Sequence, residues 1–301
     1  MKYKNIQHVF FDLDHTLWDF DKNSVLAFDK IFKTHHSKID TNQFVEIYAP
    51  INQACWKLYQ VDKITHEELR YQRLKQTFDI LNYTISDEEI DQISIDYIEF
   101  LPDNNLLFDG AKEILEYLFP KYNLHIITNG FAEVQTRKLK NSGIESYFKT
   151  ITNSEKAGVK KPHRNIFEFA LSLAKTNKEN SIMIGDCIEA DVQGAINFGM
   201  RAILFDEKNT NISNDVEKIN HLLELKKNNL IMKKYLLLIA FFVFNTAIAQ
   251  SVNDYKYVVV PSKFDFLKEP NKYNMNTLTK MLFQKYGFEV FMMRHYGPPA
   301  A

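Results

Sequence analysis

The chain lacks the features that mark several large classes of protein. It has only two cysteines, Cys55 and Cys187, which lie far apart and match no metal-binding spacing. This excludes a disulfide-rich secreted fold and favours a reducing compartment. Nine glycines and eight prolines among 301 residues are too few for a fibrous or linker-rich protein. The sequence therefore predicts an ordinary globular protein.

The chain also has almost no excess of positive or negative charge. Lys and Arg together number 37, against 38 Asp and Glu. Proteins that bind nucleic acid carry a basic excess or stripe, so this balance predicts no nucleic-acid partner and favours small-molecule substrates. Residues 1–5 are polar and contain no apolar signal region. We therefore expect the main body of the chain to be cytoplasmic, with no membrane association.

Short apolar runs alternate with helix-like segments through the first ~230 residues, a pattern typical of a parallel sheet wrapped by helices. The runs are nearly continuous in apolar residues, as strands buried on both faces should be. The sequence thus predicts an α/β fold with a doubly wound parallel sheet. The expected strands are residues 8–13, 124–128, 181–184 and 202–205, with a weaker candidate at 149–152, and the expected helices are 111–119, 132–141, 165–174 and 191–198.

Residues 21–100 interrupt the alternation. They contain no convincing strand, and their apolar residues recur at helical spacing, as in Phe44, Ile47, Tyr48 and Ile51. Ser86 is predicted to begin a helix as its N-cap. We interpret 21–100 as a helical cap inserted after the first strand, and 1–20 with 101–228 as the catalytic core. An insertion at the carboxyl end of a parallel strand lies over the ligand crevice, so a lid is expected.

Asp12 and Asp14 close the first predicted strand. A spacing of two residues directs both side chains to one side of an extended chain. Two carboxylates at the end of a buried strand are costly to desolvate unless a cation or a reaction uses them. The same spacing is also common in solvated loops, so these two residues alone do not decide between the two interpretations.

Two further loops carry groups suited to phosphate. Thr128, Asn129 and Gly130 follow the second strand, where a hydroxyl and free backbone N–H groups before a helix suit an anion. Lys161 precedes Pro162 in a later loop, where its ammonium group can neutralise a phosphoryl group. Each also fits an ordinary turn or a surface lysine when taken alone.

The last group follows the strand at 181–184. Asp186 lies directly after it, and Asp191 lies in the same loop. Clustered carboxylates can complete an oxygen-ligand site for Mg²⁺, although Asp191 also suits the start of a helix. Glu189 remains open as a ligand, a supporting group or an exposed side chain.

All four groups fall at carboxyl ends of predicted parallel strands, where open α/β sheets place their ligands. Their order and spacing resemble the haloacid dehalogenase superfamily over about residues 5–228. The family pattern is Asp-x-Asp-x-Thr, then Ser or Thr, then Lys, then Gly-Asp with a further Asp. The one departure is His15, where the family usually has glycine; it removes no catalytic group.

The resemblance implies a phosphatase mechanism. Asp12 is then the nucleophile that forms an aspartyl phosphate. Asp14 protonates the leaving alcohol and later activates water. Thr128 and Lys161 hold the phosphoryl oxygens. The resemblance also implies an Mg²⁺ ion bound by Asp12, the Asp14 backbone carbonyl and Asp186, with Asp191 close by.

A narrower resemblance suggests the substrate. Residues 14–20 and 127–131 look like those of the bacterial pyrimidine 5′-nucleotidase subfamily, which implies nucleoside monophosphates, including noncanonical ones. Trp18, Trp56 and Tyr59 are candidates to stack on a base, and each also suits plain core packing. A sugar-phosphate phosphatase or a β-phosphoglucomutase-like enzyme is the first alternative. A membrane-tethered, non-catalytic protein is the second.

The second alternative rests on the tail. Residues 232–250 combine Met232, two lysines, an apolar stretch and an Ala-x-Ala site, which is the composition of a secretory signal peptide. Its apolar run is shorter than a spanning helix needs. We interpret 229–301 as foreign to the enzyme, with 251–301 a fragment of a second, exported protein.

Overall fold

A computed structural model gives the fold, and it describes residues 5–35, 37–210 and 216–226. The expectations about the tail at 229–301 lie outside these residues. Within the three described ranges, no helix combines the length and the apolar character needed to cross a bilayer.

The core is a six-stranded sheet in the order β3-β2-β1-β4-β5-β6, and every neighbouring pair is parallel. This confirms the predicted fold class. The strands are β1 His8–Phe11, β2 Asn123–Thr128, β3 Phe148–Asn153, β4 Ser181–Gly185, β5 Arg201–Phe205 and β6 Lys218–Ile219.

Both faces of the sheet are covered, because residues that alternate along each strand point to opposite sides. Val9 and Phe11 of β1 belong to one large apolar cluster, whereas Phe10 between them belongs to a second cluster with Phe167. All four residues of β1 are buried. This explains why the strand is almost wholly apolar and identifies the sheet as doubly wound.

Four consecutive helices follow β1 and make up the segment predicted as a cap; we call them the helical unit. They are α1 Phe20–Thr34, α2 Thr41–Gln60, α3 His66–Ile80 and α4 Asp87–Phe100. Ser86 caps α4 and forms a capping box with Glu89, as predicted. Aromatic rings of three helices, including Phe28, Phe44 and Tyr97, pack together in its interior.

The remaining helices connect the later strands. They are α5 Ala111–Leu118, α6 Ala132–Asn141, α7 Ser154–Ala157, α8 Arg164–Leu173 and α9 Gly194–Phe198, with a π-helical segment Ile188–Gln193 before α9 and 3₁₀ turns at Leu101–Asp103, Glu145–Tyr147, Lys178–Asn180 and Leu222–Lys226. The predicted helix at 191–198 is therefore wrong at its start, since helical structure begins at Ile188 in π form. The short β6 was not predicted.

The strand order places the site. The chain runs from β1 outwards to β2 and β3 on one side, and returns to β4 and β5 on the other. The carboxyl ends of β1 and β4 thus meet where the direction of winding reverses, which is where open α/β sheets bind their ligands.

Candidate active site

Three strands deliver side chains to the same edge of the sheet. Asp12 follows β1, Thr128 ends β2, and Asp186 follows β4. The Asp12 N–H donates to the carbonyl of Ile184 at 2.8 Å, so the pairing of β1 with β4 continues up to the site. The backbone of Asp12 is therefore fixed by the sheet itself.

An acid cluster of Asp12, Asp186 and Asp191 forms at this edge. One carboxylate oxygen from each lies within 4.8 Å of the others. Asp191 comes from the π-helical segment and its Oδ2 accepts from the N–H of Cys187 at 3.1 Å. A Cβ on Gly185 would collide with the Asp191 carboxylate, so this close approach requires glycine at the end of β4.

Lys161 lies inside the acid cluster and is almost completely buried. Its Nζ forms ion pairs with Asp12 and, at 2.6 Å, with Asp191 Oδ1, and it donates to the carbonyl of Ile127 at 2.7 Å. Burial alone would lower the pKa of Lys161, but the two carboxylates outweigh it and raise the pKa. The ammonium group therefore stays charged.

The two acids at the strand ends are hard to ionise in this environment. Burial raises the pKa of Asp12 well above its ordinary value, against the influence of Lys161. Burial, and then the neighbouring Asp191, raise the pKa of Asp186 to about 8. Crowded, desolvated carboxylates of this kind need more positive charge than Lys161 supplies.

The acid cluster fits a divalent cation. Three carboxylates against one ammonium group leave two negative charges in excess when all are ionised. The donors are all oxygens, which is the set that Mg²⁺ prefers. The Oγ1 of Thr16 donates to Asp186 Oδ1 at 3.3 Å, which orients that carboxylate.

Asp14 is held apart from the acid cluster by two donors on α6. Lys138 Nζ donates to Asp14 Oδ1 at 2.6 Å, and Gln135 Nε2 donates to Asp14 Oδ2 at 2.7 Å. Burial lowers the pKa of Lys138, and the Asp14 carboxylate opposes that shift. Lys138 is also stacked over the Trp18 ring, 4.1 Å from its centre.

Sequence reasoning missed Gln135 and Lys138. Both are buried although they lie on a helix rich in polar residues. Their spacing of three places them on one face of α6, directly after the loop at Thr128. That spacing was the available signal, but it does not separate a buried pair from an exposed one.

The loop after β2 presents the groups predicted for phosphate. Thr128 Oγ1 accepts from the Gly130 N–H at 3.1 Å and from Gln135 Nε2 at 3.0 Å. A Cβ on Gly130 would overlap the Gln135 amide, so a larger residue there would displace that amide from its present position. Asn129 has a different task, since its side chain accepts from Lys161 N–H at 2.7 Å and donates to Lys161 O at 2.9 Å.

The remaining candidates are engaged in other contacts. Glu189, left open by the sequence, is exposed and pairs with Lys57 at 3.3 Å. Trp18 is fully buried beneath Lys138. Trp56 and Tyr59 pack against Phe131, with ring centres 5.6 and 6.3 Å from its own. These two rings face the loop after β2 but are engaged with its phenylalanine.

Comparison with known proteins gives a family. The model of the haloacid dehalogenase-like hydrolases matches residues 6–199. Pyrimidine 5′-nucleotidase PynA of Streptococcus pneumoniae is 31% identical over 198 residues, 65% of this chain and 82% of that protein. Pyrimidine 5′-nucleotidase YjjG of Escherichia coli is 30% identical over 193 residues, which are 64% of this chain and 82% of that protein.

A solved structure agrees with both sequence comparisons. The putative hydrolase YfnB of Bacillus subtilis, bound to magnesium, aligns with a TM-score of 0.68 at 26% identity. The alignment covers 76% of this chain and all of that one. The similarity thus extends across the sheet and the helical unit together.

Proposed function

The chain belongs to the haloacid dehalogenase-like hydrolases, and on this premise we propose that it is a magnesium-dependent phosphatase of nucleoside 5′-monophosphates. The observation that carries the proposal is the buried pair of Asp12 and Lys161 beside Asp186 and Asp191. A lysine that is paired with a carboxylate nucleophile can also stabilise the negative charge of the phosphoryl oxygens once the substrate is bound.

The positions of the side chains support the following reaction. One Asp12 oxygen attacks phosphorus, the bond from phosphorus to the ester oxygen breaks, and an aspartyl phosphate remains. Asp14 gives its proton to the departing alcohol. It then takes a proton from water, which attacks the aspartyl phosphate and releases inorganic phosphate. Lys138 and Gln135 hold Asp14 in place for both steps.

The phosphoryl oxygens are received by the loop after β2. Thr128 and the N–H groups beside it donate hydrogen bonds, and Lys161 supplies charge. Asp12, the Asp14 backbone carbonyl, Asp186 and Asp191 are the residues that would hold Mg²⁺. When bound, the ion supplies positive charge that lets an anionic nucleophile approach an anionic ester.

Nucleoside monophosphates are proposed as substrates because two relatives named as pyrimidine 5′-nucleotidases align over four-fifths of their length. We also propose a cytoplasmic enzyme, because both cysteines are free thiols.

A substrate panel tests the proposal. Uridine, cytidine, thymidine and adenosine 5′-monophosphates are compared with glucose 1-phosphate and glucose 6-phosphate, with Mg²⁺ and with a chelator. We expect the highest kcat/KM with a pyrimidine nucleotide, and activity that depends on Mg²⁺. Preference for a hexose phosphate would instead support the sugar-phosphate alternative.

The nucleophile is tested by Asp12→Asn, which keeps the shape of the side chain. It should lower kcat by about 10³-fold or more, as loss of a covalent nucleophile does in other hydrolases. The exposed Asp29→Asn on α1 is the matched control and should retain kcat. Full turnover by Asp12→Asn would refute the mechanism.

A further inference from the structure

A buried arginine in the helical unit has no counter-charge within the described ranges of the chain. Arg73 on α3 is 2% exposed. Its Nη1 donates to Asn52 Oδ1 at 3.2 Å, while its Nε and Nη2 have no hydrogen-bond partner among the residues that the structure describes. Within those residues it forms no ion pair with a carboxylate.

This arrangement is costly for a structural arginine. A guanidinium group carries five donors and no acceptor, and buried guanidinium groups are normally paired. The rings of Tyr97 and Tyr48, 5.1 and 6.0 Å from Arg73 Cζ, supply part of the compensation. The ring faces do not accept from Nε and Nη2 in the plane of the guanidinium group, so these two donors need an acceptor that the described residues do not supply.

Arg73 shares one face of α3 with His66, two helical turns earlier, and its partner Asn52 shares one face of α2 with Trp56, one turn later. Burial lowers the pKa of Lys138 and of His66, and the charge of Arg73 contributes to both shifts. Lys138 is bonded to Asp14, and His66 packs against Phe131 with ring centres 4.0 Å apart. Arg73 and Asn52 therefore lie on the helix faces from which His66 and Trp56 contact Phe131, the residue that precedes the helix bearing Lys138.

Further polar atoms in this region lack partners. His66 Nε2 and Gln135 Oε1 are buried and have no hydrogen-bond partner among the described residues. Gln135 itself donates to Asp14 and to Thr128. Unpartnered atoms thus occur on both sides of the contact at Phe131, in the helical unit and on the core residue that binds Asp14.

We propose that Arg73 binds a carbonyl oxygen of the pyrimidine base, with Asn52 fixing the orientation of the guanidinium group. The inference rests on the proposed function, because Asp14 must protonate the sugar oxygen next to the phosphate. Uracil, thymine and cytosine share a carbonyl at position 2, whereas adenine has none. A donor-only group at this place therefore selects pyrimidines over adenine.

The test compares two substrates in each variant. Arg73→Gln and Arg73→Lys are assayed with uridine 5′-monophosphate and with ribose 5-phosphate, which has the same sugar and phosphate but no base. A hydrogen bond to a charged donor predicts a loss in kcat/KM about 10- to 100-fold greater for the nucleotide than for ribose 5-phosphate in Arg73→Gln. Equal losses for both substrates would overturn the inference.

Arg70→Gln is the matched control. Arg70 lies one turn earlier on α3, and its guanidinium group donates to Ser94 Oγ and Ser94 O at 3.3 and 3.4 Å. Its replacement should leave the ratio of the two activities as in the unaltered protein. A ratio that falls as far as in Arg73→Gln would also overturn the inference, since the effect would not be specific to Arg73.

A second measurement needs no variant and therefore does not depend on folding. Sulfur is a weak acceptor, so 2-thiouridine or 4-thiouridine 5′-monophosphate should lose about 10-fold in kcat/KM relative to the uridine nucleotide. Losses below twofold for both would overturn the inference. If the unaltered protein preferred ribose 5-phosphate to every nucleotide, the proposed function would fail and this inference with it. Strong nucleotide activity without an Arg73 effect would remove the inference alone.

Discussion

Asp14 differs from the neighbouring acids in its surroundings. It is partly exposed and receives hydrogen bonds from Lys138 and Gln135, whereas Asp12 contacts Lys161. The proposed mechanism needs two carboxyl groups with different tasks, and separate partners make this separation possible. The difference between the tasks can be measured by changing the leaving group.

We expect Asp14→Asn to lower kcat for uridine 5′-monophosphate by about 10²–10⁴-fold, the usual contribution of a general acid. The loss should be much smaller for 4-nitrophenyl phosphate, because nitrophenolate leaves without a proton. Steady-state rates with both substrates check this. The Asp29→Asn control should leave both rates unaltered, and equal losses for the two esters would exclude a role for Asp14 in protonation.

His15 occupies a backbone conformation that favours glycine. Its φ is 61°, in the left-handed region, and its ring packs 5.0 Å from that of Phe20. Histidine enters this region more readily than most residues, yet still at a cost. This accounts for the glycine that the family usually has here.

A comparison of two substitutions separates the backbone cost from the side-chain contacts. His15→Gly and His15→Ala both remove the ring, but only glycine relieves the left-handed conformation. We expect His15→Gly to be more stable than His15→Ala by about 1 kcal/mol, measured by urea unfolding. Equal stabilities would mean that the loop relaxes when the ring is removed.

At the scale of elements, the strands could be read from the sequence. β1, β2 and β4 are buried on both faces, so their sequences are nearly all apolar. Parallel strands place their carboxyl ends together, which is why residues far apart in the chain could be assigned to one edge. The predicted and observed helix 132–141 agree in full. These features depend on periodicity and burial alone.

Contacts that depend on three-dimensional packing could not be read. Nothing local distinguishes Lys138, which is buried over Trp18, from Lys140 on the same helix. The π-helical turn that delivers Asp191 is stabilised by the fit of that carboxylate against Gly185 and the Cys187 N–H. Arg73 was missed for the same reason, because its unpaired nitrogens are visible only in the folded helical unit.

Aromatic contacts and ion pairs are among the contacts that connect the helical unit to the core. Phe131 packs against His66, Trp56 and Tyr59. Ion pairs also cross, including Lys57 with Glu189, where both side chains are largely exposed. Exposed ion pairs contribute ~0–1 kcal/mol, whereas each aromatic pair contributes about 0.5–1.5 kcal/mol beyond its buried area. We therefore expect the aromatic contacts, more than the ion pairs, to hold the helical unit against the core.

We expect Phe131→Ala to raise KM for the nucleotide about 5- to 10-fold, with Glu189→Ala as the control that changes it less than twofold. Acrylamide quenching supplies a second readout. Trp18 is fully buried, so the quenching of the folded protein reports on Trp56. Phe131→Ala should increase that quenching. Unaltered quenching and KM would show that the aromatic contacts do not govern closure.

For the molecule as a whole, the sheet positions the side chains of the site and also makes the stability of the protein sensitive to acid. His125 of β2 is 1% exposed, and its ring stacks on Phe10. Its two ring nitrogens lie 3.0 Å from His8 Nδ1 and 2.8 Å from Thr150 Oγ1. Burial, together with His8 and Lys149, lowers the pKa of His125 to about 3. The folded protein therefore keeps this histidine neutral.

As the pH falls below about 6.5, the unfolded chain binds a proton at His125 and the folded protein does not. The contribution of His125 to the free energy of unfolding is complete above pH 6.5. It declines by about 1.4 kcal/mol per pH unit as the pH falls towards 3. The free energy of unfolding, measured with urea, should thus fall between pH 7 and pH 5. We expect this fall to be about 2 kcal/mol smaller in His125→Gln than in the unaltered protein. As a control, His221 is partly exposed and lies just before the last 3₁₀ turn, and His221→Gln should alter this difference far less. If His125→Gln kept the full difference, other groups would govern the response of the sheet to acid.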